Sequence, residues 1–421
     1  MFLALIGIKR NLNERRDLCV RNWLTTWSKF KMMDQQQFSE IPAGLEWLSN
    51  KPNTIRYHLE NPDVDLVSYM RKRRLAFGEQ VTQKRRIYLD TRYWIFIRDV
   101  FLGRKQKPIH AEIVEELKRL CSDGSTICPI SYSIFAELLL QSDDSTRIAM
   151  GKMIDLLSDG CTIQPPHELF KREVYHFITK HTQPTETLIP VSHFAWTKAT
   201  FVLGDVFPSS DELDPEVMLA IQKSMDDLLW SVGLTEMLQH LPATDDAEKQ
   251  MTQTVTEEMT DAKFAAAKSD DTFDSLFLDE VTGLLQGYGE FGGGLMTYLA
   301  QEAGVSSPAG DATTALGGRM LGQVIRLAFE HKKITTELPS IEIPSGLYAV
   351  VRLSPTRKYK KGDFEDYRHA TQALPYFDVF LTESSLKHTL TNTPLHFDQK
   401  YDCKVISSEE DALKYLRNLE D

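Results

Sequence analysis

The sequence predicts an α/β fold with a helical extension before it and a helical insertion within it. Three observations carry this reading. Short runs at 87–91, 126–130, 162–164, 379–383 and 404–406 have strand character and are largely apolar, as strands covered on both faces of a sheet are. Most are followed by apolar residues at helical spacing, the alternation that builds βα units and a parallel sheet. Between 201 and 340 that alternation stops, and acidic pairs such as Asp226-Asp227, Asp245-Asp246, Glu257-Glu258 and Asp270-Asp271 punctuate apolar helix faces. The expected organisation is therefore an extension over 1–84, a core in two parts over 85–200 and 341–421, and an insertion over 201–340.

Composition sets outer bounds. A chain of 421 residues with 42% hydrophobic and 26% charged residues has ordinary globular composition. The net charge of −12 excludes a generally basic nucleic-acid binder, so any such contact must come from local basic clusters. The five cysteines are scattered and without CxxC spacing, which argues against a disulfide framework or a zinc knuckle. A reducing, cytoplasmic setting is the expectation. The first eight residues are apolar but too few to span a membrane, and no longer apolar run follows, so no membrane association is expected.

In the extension, Trp23, Trp27, Phe30 and Met33 recur at helical spacing and read as a packing face. Basic clusters stand at Arg71–Arg74 and Lys84–Arg86, each either a solvated face or a rim for phosphates; Arg85 and Arg86 directly precede the first strand. That strand ends in Leu89-Asp90-Thr91, with Arg92 opening the next helix. Asp90 is placed either to hold a cation at a strand's carboxyl end or to cap the helix. A helix is expected over 110–121, then the strand at 126–130. Ser131 or Ser133 caps the following helix, in which Glu137 stands among Ile134, Leu138 and Leu139, on the exposed face or deliberately buried. A further strand, turn and helix cover 162–181, where Glu173 reads as a surface residue or a support for a site.

Within the insertion, Gly287, Gly289 and Gly292 to Gly294 follow no clear strand and no Gly-Lys-Ser/Thr occurs, so they do not read as a phosphate loop. The insertion suits a lid, a partner surface or a cap that shapes the substrate site. Pro344 is expected in the first turn of a helix. Arg357-Lys358-Tyr359-Lys360-Lys361 follows, a basic cluster directly ahead of the acidic run Asp363 to Asp366. That run opens a short helix whose inward face carries carboxylates, with Asp363 as its cap. Asp378, the strand at 379–383 and Thr382-Glu383 complete the stretch. After the strand at 404–406, Ser407 with Glu410 starts the last helix. Carboxylates beside fully apolar strands are costly to bury unless a cation or hydrogen bonds compensate.

The order strand–Asp90, helix–Glu137, helix–Asp366, strand–Thr382-Glu383 resembles that of the acidic residues in PIN-domain nucleases. Asp366-x-x-His369-Ala370 with Ala373-Leu374-Pro375-Tyr376-x-Asp378 is similar to a bacterial PIN-like subfamily. The resemblance covers roughly 85–200 and 340–421. It implies a three-layer sandwich about a central parallel sheet, and a ribonuclease using Mg²⁺ or Mn²⁺. It implies Asp90, Glu137 and Asp366 as ligands; the family often has a fourth acid one or two residues after the strand-ending Thr, where this chain has Glu383 and then Ser384, so Glu383 and Asp378 compete for that place. Thr91, His369 and Thr382 would orient those carboxylates. Arg85, Arg86, Arg92, Arg357, Lys358, Lys360 and Lys361 would contact RNA phosphates.

A second reading is a catalytically silent PIN-like module that binds RNA, or a protein partner through the insertion. A phosphatase or phosphotransferase is disfavoured because Asp90-Thr91-Arg92 lacks the second Asp of a DxDx(T/V) motif.

Overall fold

A computed structural model describes residues 51–420, apart from 184, 186, 206, 211, 242–246, 290–297 and 300–310. The packing face at Trp23 to Met33, the apolar first eight residues and Gly292 to Gly294 lie outside the described residues.

The chain begins with α1 (Ile55–Glu60) and α2 (Leu66–Thr82), the latter capped by the Asp65 carboxylate on the Ser68 N–H at 2.9 Å. Next come β1 (Arg85–Leu89), α3 (Thr91–Phe101), α4 (Pro108–Ser122), β2 (Thr126–Ile127), α5 (Tyr132–Leu139) and α6 (Asp144–Ser158). Then follow β3 (Cys161–Ile163), α7 (Pro166–Thr182), α8 (Val191–Phe194) and β4 (Trp196–Lys198). The expected insertion supplies α9 (Pro215–Trp230), α10 (Leu234–His240), α11 (Ala247–Ala266), α12 (Phe273–Gly289) and α13 (Asp311–Glu330). The chain closes with α14 (Pro339–Leu353), α15 (Asp363–Ala373), β5 (Val379–Leu381), α16 (Ser384–Thr391), α17 (Phe397–Lys400), β6 (Lys404–Ile406) and α18 (Glu409–Arg417).

The fold is α/β and predominantly helical, around a four-stranded parallel sheet in the order β2-β1-β5-β6. Ile87, Tyr88 and Leu89 of β1 face Val379, Phe380 and Leu381 of β5 in register, and all six are buried. These fully apolar strands are what a sheet covered on both faces requires. A separate antiparallel pair, β3 with β4, lies beside it, and Ile130 bridges to Thr162.

The chain leaves β1 for β2 on one side and returns to β5 on the other. The order of connection therefore reverses between β1 and β5. In open parallel sheets a crevice opens at the carboxyl ends of the strands at such a reversal. One hydrophobic core surrounds the sheet and draws residues from Val81 to Leu416, including Leu234 and Leu238 of α10. A second joins α7, α12, α13 and α14 through Phe170, Val174, Val281, Leu284, Ile325 and Ile341.

Three boundary expectations change. Pro344 lies inside α14, which begins five residues earlier at Pro339 because Ser340, Ile341 and Ile343 are buried and held in the helix. The last helix is capped by Ser408 rather than Ser407, its hydroxyl accepting from the Asp411 N–H at 3.0 Å. Asp363 does not cap α15; it is the first helical residue after Gly362, and its carboxylate holds the preceding loop.

Candidate active site

Asp90 is at the carboxyl end of β1, and Thr382 and Glu383 are at the carboxyl end of β5, one on each side of the reversal. Asp90 occupies the N-cap position of α3, yet its side chain makes no capping hydrogen bond there. One Asp90 carboxylate oxygen accepts instead from the Thr382 hydroxyl at 2.8 Å, and the Asp90 N–H donates to Leu381 O at 3.1 Å. The carboxylate is 6% exposed and turned to the neighbouring strand. Of the two roles open from sequence, capping is the one that fails.

Asp366 reaches the same place from the first turn of α15. Burial pushes its carboxyl up to about 7, and the charge of Asp90, then those of Glu383 and Asp363, add to the rise against the opposing pull of His369. Like charges that share a partly desolvated space cannot all ionise cheaply. Asp366 thus senses both strand ends. Glu383 is exposed at the rim.

Glu137 sits on α5, half-buried. It accepts from the Thr91 hydroxyl, and its other oxygen lies 3.4 Å from His369 Nε2. Burial alone would raise its carboxyl, but the hydrogen bond and charge of His369, with Thr91, hold it below the ordinary range. His369 is buried between Glu137 and the Tyr88 hydroxyl, which is 2.6 Å from Nδ1; the same hydroxyl is 2.7 Å from Ser131 Oγ. Burial works against a charged imidazole there, but the Tyr88 oxygen and the carboxylates of Glu137 and Asp90 outweigh it and lift its pKa well above ordinary. A polar chain Ser131–Tyr88–His369–Glu137–Thr91 therefore runs through an otherwise apolar core. Tyr88 and Ser131 were missed as site residues. The signal was present: residues two apart on a strand share a face, and Tyr88 is two before Asp90.

Asp378 does not join these groups. It precedes β5 at the amino end, where its carboxylate accepts from the Arg86 backbone N–H at 2.7 Å and from its guanidinium at 2.7 and 3.0 Å. Four residues of strand at about 3.3 Å each separate Arg86 from Asp90, roughly 13 Å. The expectation of Asp378 as a ligand is therefore corrected, because strand direction carries it to the far edge of the sheet. Arg85 and Arg86 share that edge, and Arg86 is occupied by Asp378, so neither borders the acidic site. Arg92 is on the correct side but pairs with Glu409 at 3.0 Å, as does Lys107. Of the basic loop, Arg357 lies 3.3 Å from Asp363, while Lys358, Lys360 and Lys361 are exposed and make no ion pair among the described residues.

Among the described residues no three His, Cys, Asp or Glu side chains come together closely enough to hold a metal ion as they stand. The charges that raise Asp366, those of Asp90, Glu383 and Asp363, are carboxylates, the donor type of hard divalent ions, while His369 acts against them. Among the described residues no helix is long and apolar enough to cross a membrane. In comparison with known proteins, the chain matches no family model, no curated protein and no solved structure.

Proposed function

We propose that this protein is a PIN-like, metal-dependent phosphodiesterase that hydrolyses RNA, with Mg²⁺ or Mn²⁺ at the carboxyl ends of β1 and β5. The observation that carries the reading is Asp90 at the end of β1, bonded to Thr382 of β5 across the reversal of the sheet, with Asp366 pushed up to about 7 by burial and by the charge of Asp90. A carboxylate held under that repulsion gains most from a cation. When bound, a hard divalent ion polarises the scissile phosphate and eases deprotonation of the attacking water.

The chain's own residues do the rest. Asp90, Asp366 and Glu383 supply the oxygens, and Thr382 fixes the rotamer of Asp90 by its hydrogen bond. His369 and Thr91 hold Glu137 ionised and oriented beside them. The lysines at 358, 360 and 361 offer positive charge next to the helix that carries Asp366, which suits a polyanionic substrate. RNA is the substrate class implied by the resemblance to PIN nucleases.

The test is cleavage of a mixed-sequence single-stranded RNA with Mn²⁺, comparing the wild type with Asp90→Asn and Asp366→Asn, beside calorimetric Mn²⁺ binding. Both variants should lose cleavage by at least about a hundredfold, the scale of electrostatic terms in a catalytic site. Equal cleavage by wild type and Asp90→Asn would sink the reading. Wild-type RNA binding without cleavage or Mn²⁺ binding would favour the silent module instead.

A further inference from the structure

The insertion grips the basic loop that lies between α14 and α15. Lys263, on α11, is 6% exposed although it carries a full charge, so its ammonium needs partners. It donates to Ser354 O at 2.7 Å and to Arg357 O. Ser354 is the residue that ends α14, where carbonyls lack helical partners and a cation is favoured. One turn earlier on α11, the buried Thr260 hydroxyl accepts from the Tyr359 backbone N–H at 3.2 Å. The Tyr359 ring packs inward, stacked at 6.3 Å on Phe364.

The other side of the loop is tied to α15. Asp363 accepts from the Lys360 N–H at 2.9 Å and faces the Arg357 guanidinium at 3.3 Å. Backbone bonds at 354, 357, 359 and 360 thus fix the loop from two helices, while the side chains of Lys358, Lys360 and Lys361 stay exposed. Three ammonium groups on an immobilised backbone, next to the helix of Asp366, form a pre-organised rim. Ordering such a loop in advance lowers the cost of binding.

We propose that Lys263 and Thr260 are positioning residues through which the insertion holds the 355–361 loop ready to receive substrate phosphates, with Lys358, Lys360 and Lys361 making the contacts. The proposal rests on the reading of the protein as acting on RNA. It gives the insertion a role, as the strut of a phosphate rim.

The experiment uses the full chain, hydrogen exchange of the loop amides, and binding of a fluorescein-labelled single-stranded RNA over a salt series. In wild type the loop should be protected, and replacing Lys358, Lys360 and Lys361 together with Ala should lower the salt slope of binding by about three, roughly one per phosphate contact. Lys263→Ala should speed exchange across 355–361 and weaken RNA binding, whereas Lys263→Arg should retain both properties. In the background of the triple Ala variant, Lys263→Ala should weaken RNA binding no further, an interdependence that general destabilisation would not produce. Thr260→Val, the milder variant, should deprotect the Tyr359 amide. Unchanged RNA affinity in Lys263→Ala, or an equal loss with and without the three lysines, overturns the positioning role. If wild type itself binds no RNA, the proposed function fails as well, and the wild-type titration alone tells the two failures apart.

Discussion

Asp366 depends on its neighbour Asp90. Burial, and then the charge of Asp90, push the Asp366 carboxyl up to about 7. Replacing Asp90 with Asn removes that repulsion, so the Asp366 pKa should fall, which carboxyl-carbon NMR titration would read. The same proton competes with a metal. In wild type, Mn²⁺ affinity should therefore rise as pH increases toward about 7 and level off above it, as calorimetry at several pH values would show. Asp378 provides the contrast. Because its carboxylate is tied to Arg86 at the other end of the sheet, Asp378→Asn should leave Mn²⁺ binding unchanged while lowering the thermal midpoint. A loss of Mn²⁺ binding in that variant would mean that the amino edge contributes to the site.

At the scale of elements, two helices begin without a side-chain cap on their own N-cap residue and are capped by another helix. The Leu234 and Thr235 N–H groups of α10 donate to Asp155 of α6 at 2.9 and 2.8 Å. The Ser340 N–H of α14 donates to Glu173 of α7 at 3.0 Å, and Ser340 Oγ and Tyr376 OH donate to the same carboxylate at 2.8 and 2.7 Å. Glu173, which the sequence left as a surface residue or a support, is buried, and burial pushes its carboxyl up to about 7. Its folded pKa lies above the ordinary 4.5, so the folded state holds the proton more tightly than the unfolded chain does. Stability should accordingly decline as pH rises from about 4.5 to 7, by roughly 3 kcal/mol from this group. Glu173→Gln cannot ionise and keeps one acceptor oxygen for these donors, so it should flatten that part of the profile in urea melts at several pH values. An unaltered pH profile in the variant would assign the dependence to other groups.

The whole molecule is held together across the boundaries that the sequence suggested. Arg73 of α2 pairs with Asp226 of α9 at 2.7 Å and also with Asp227. Asp227 further accepts from His58 at 2.8 Å and from the Tyr69 hydroxyl at 2.6 Å. The described part of the extension is thus bound to the insertion, and α10 of the insertion is built into the core around the sheet. Burial pushes Asp226 up to about 6 even with Arg73 present. Arg73→Ala should therefore destabilise the fold by about 3 kcal/mol, the scale for removing one partner of a buried pair. Chemical denaturation measures this. A loss of only a few tenths would mark the network as a surface one.

By itself, the sequence determined the α/β class, the strands β1, β2, β3, β5 and β6 and the acidic candidates, because period and capping chemistry are local properties; β4 and α6 stand out only in the structure. Asp90 and Glu137 could be picked out because a charge amid apolar residues shows in one dimension, whereas Asp366 and Glu383 joined them only through the resemblance in their order. Only the tertiary structure decided which acids lie at the same end of the sheet. A strand has two ends, and Asp378 and Glu383, five residues apart, lie at opposite edges of the sheet because β5 runs between them. Trans-capping by Asp155 and Glu173, the Tyr88–His369 link and the grip of Lys263 on the loop join residues from about 80 to 280 positions apart. Such partners have no local signature, because what selects them is the cost of leaving a buried charge or hydrogen-bonding group alone, and burial is set only when the chain has folded.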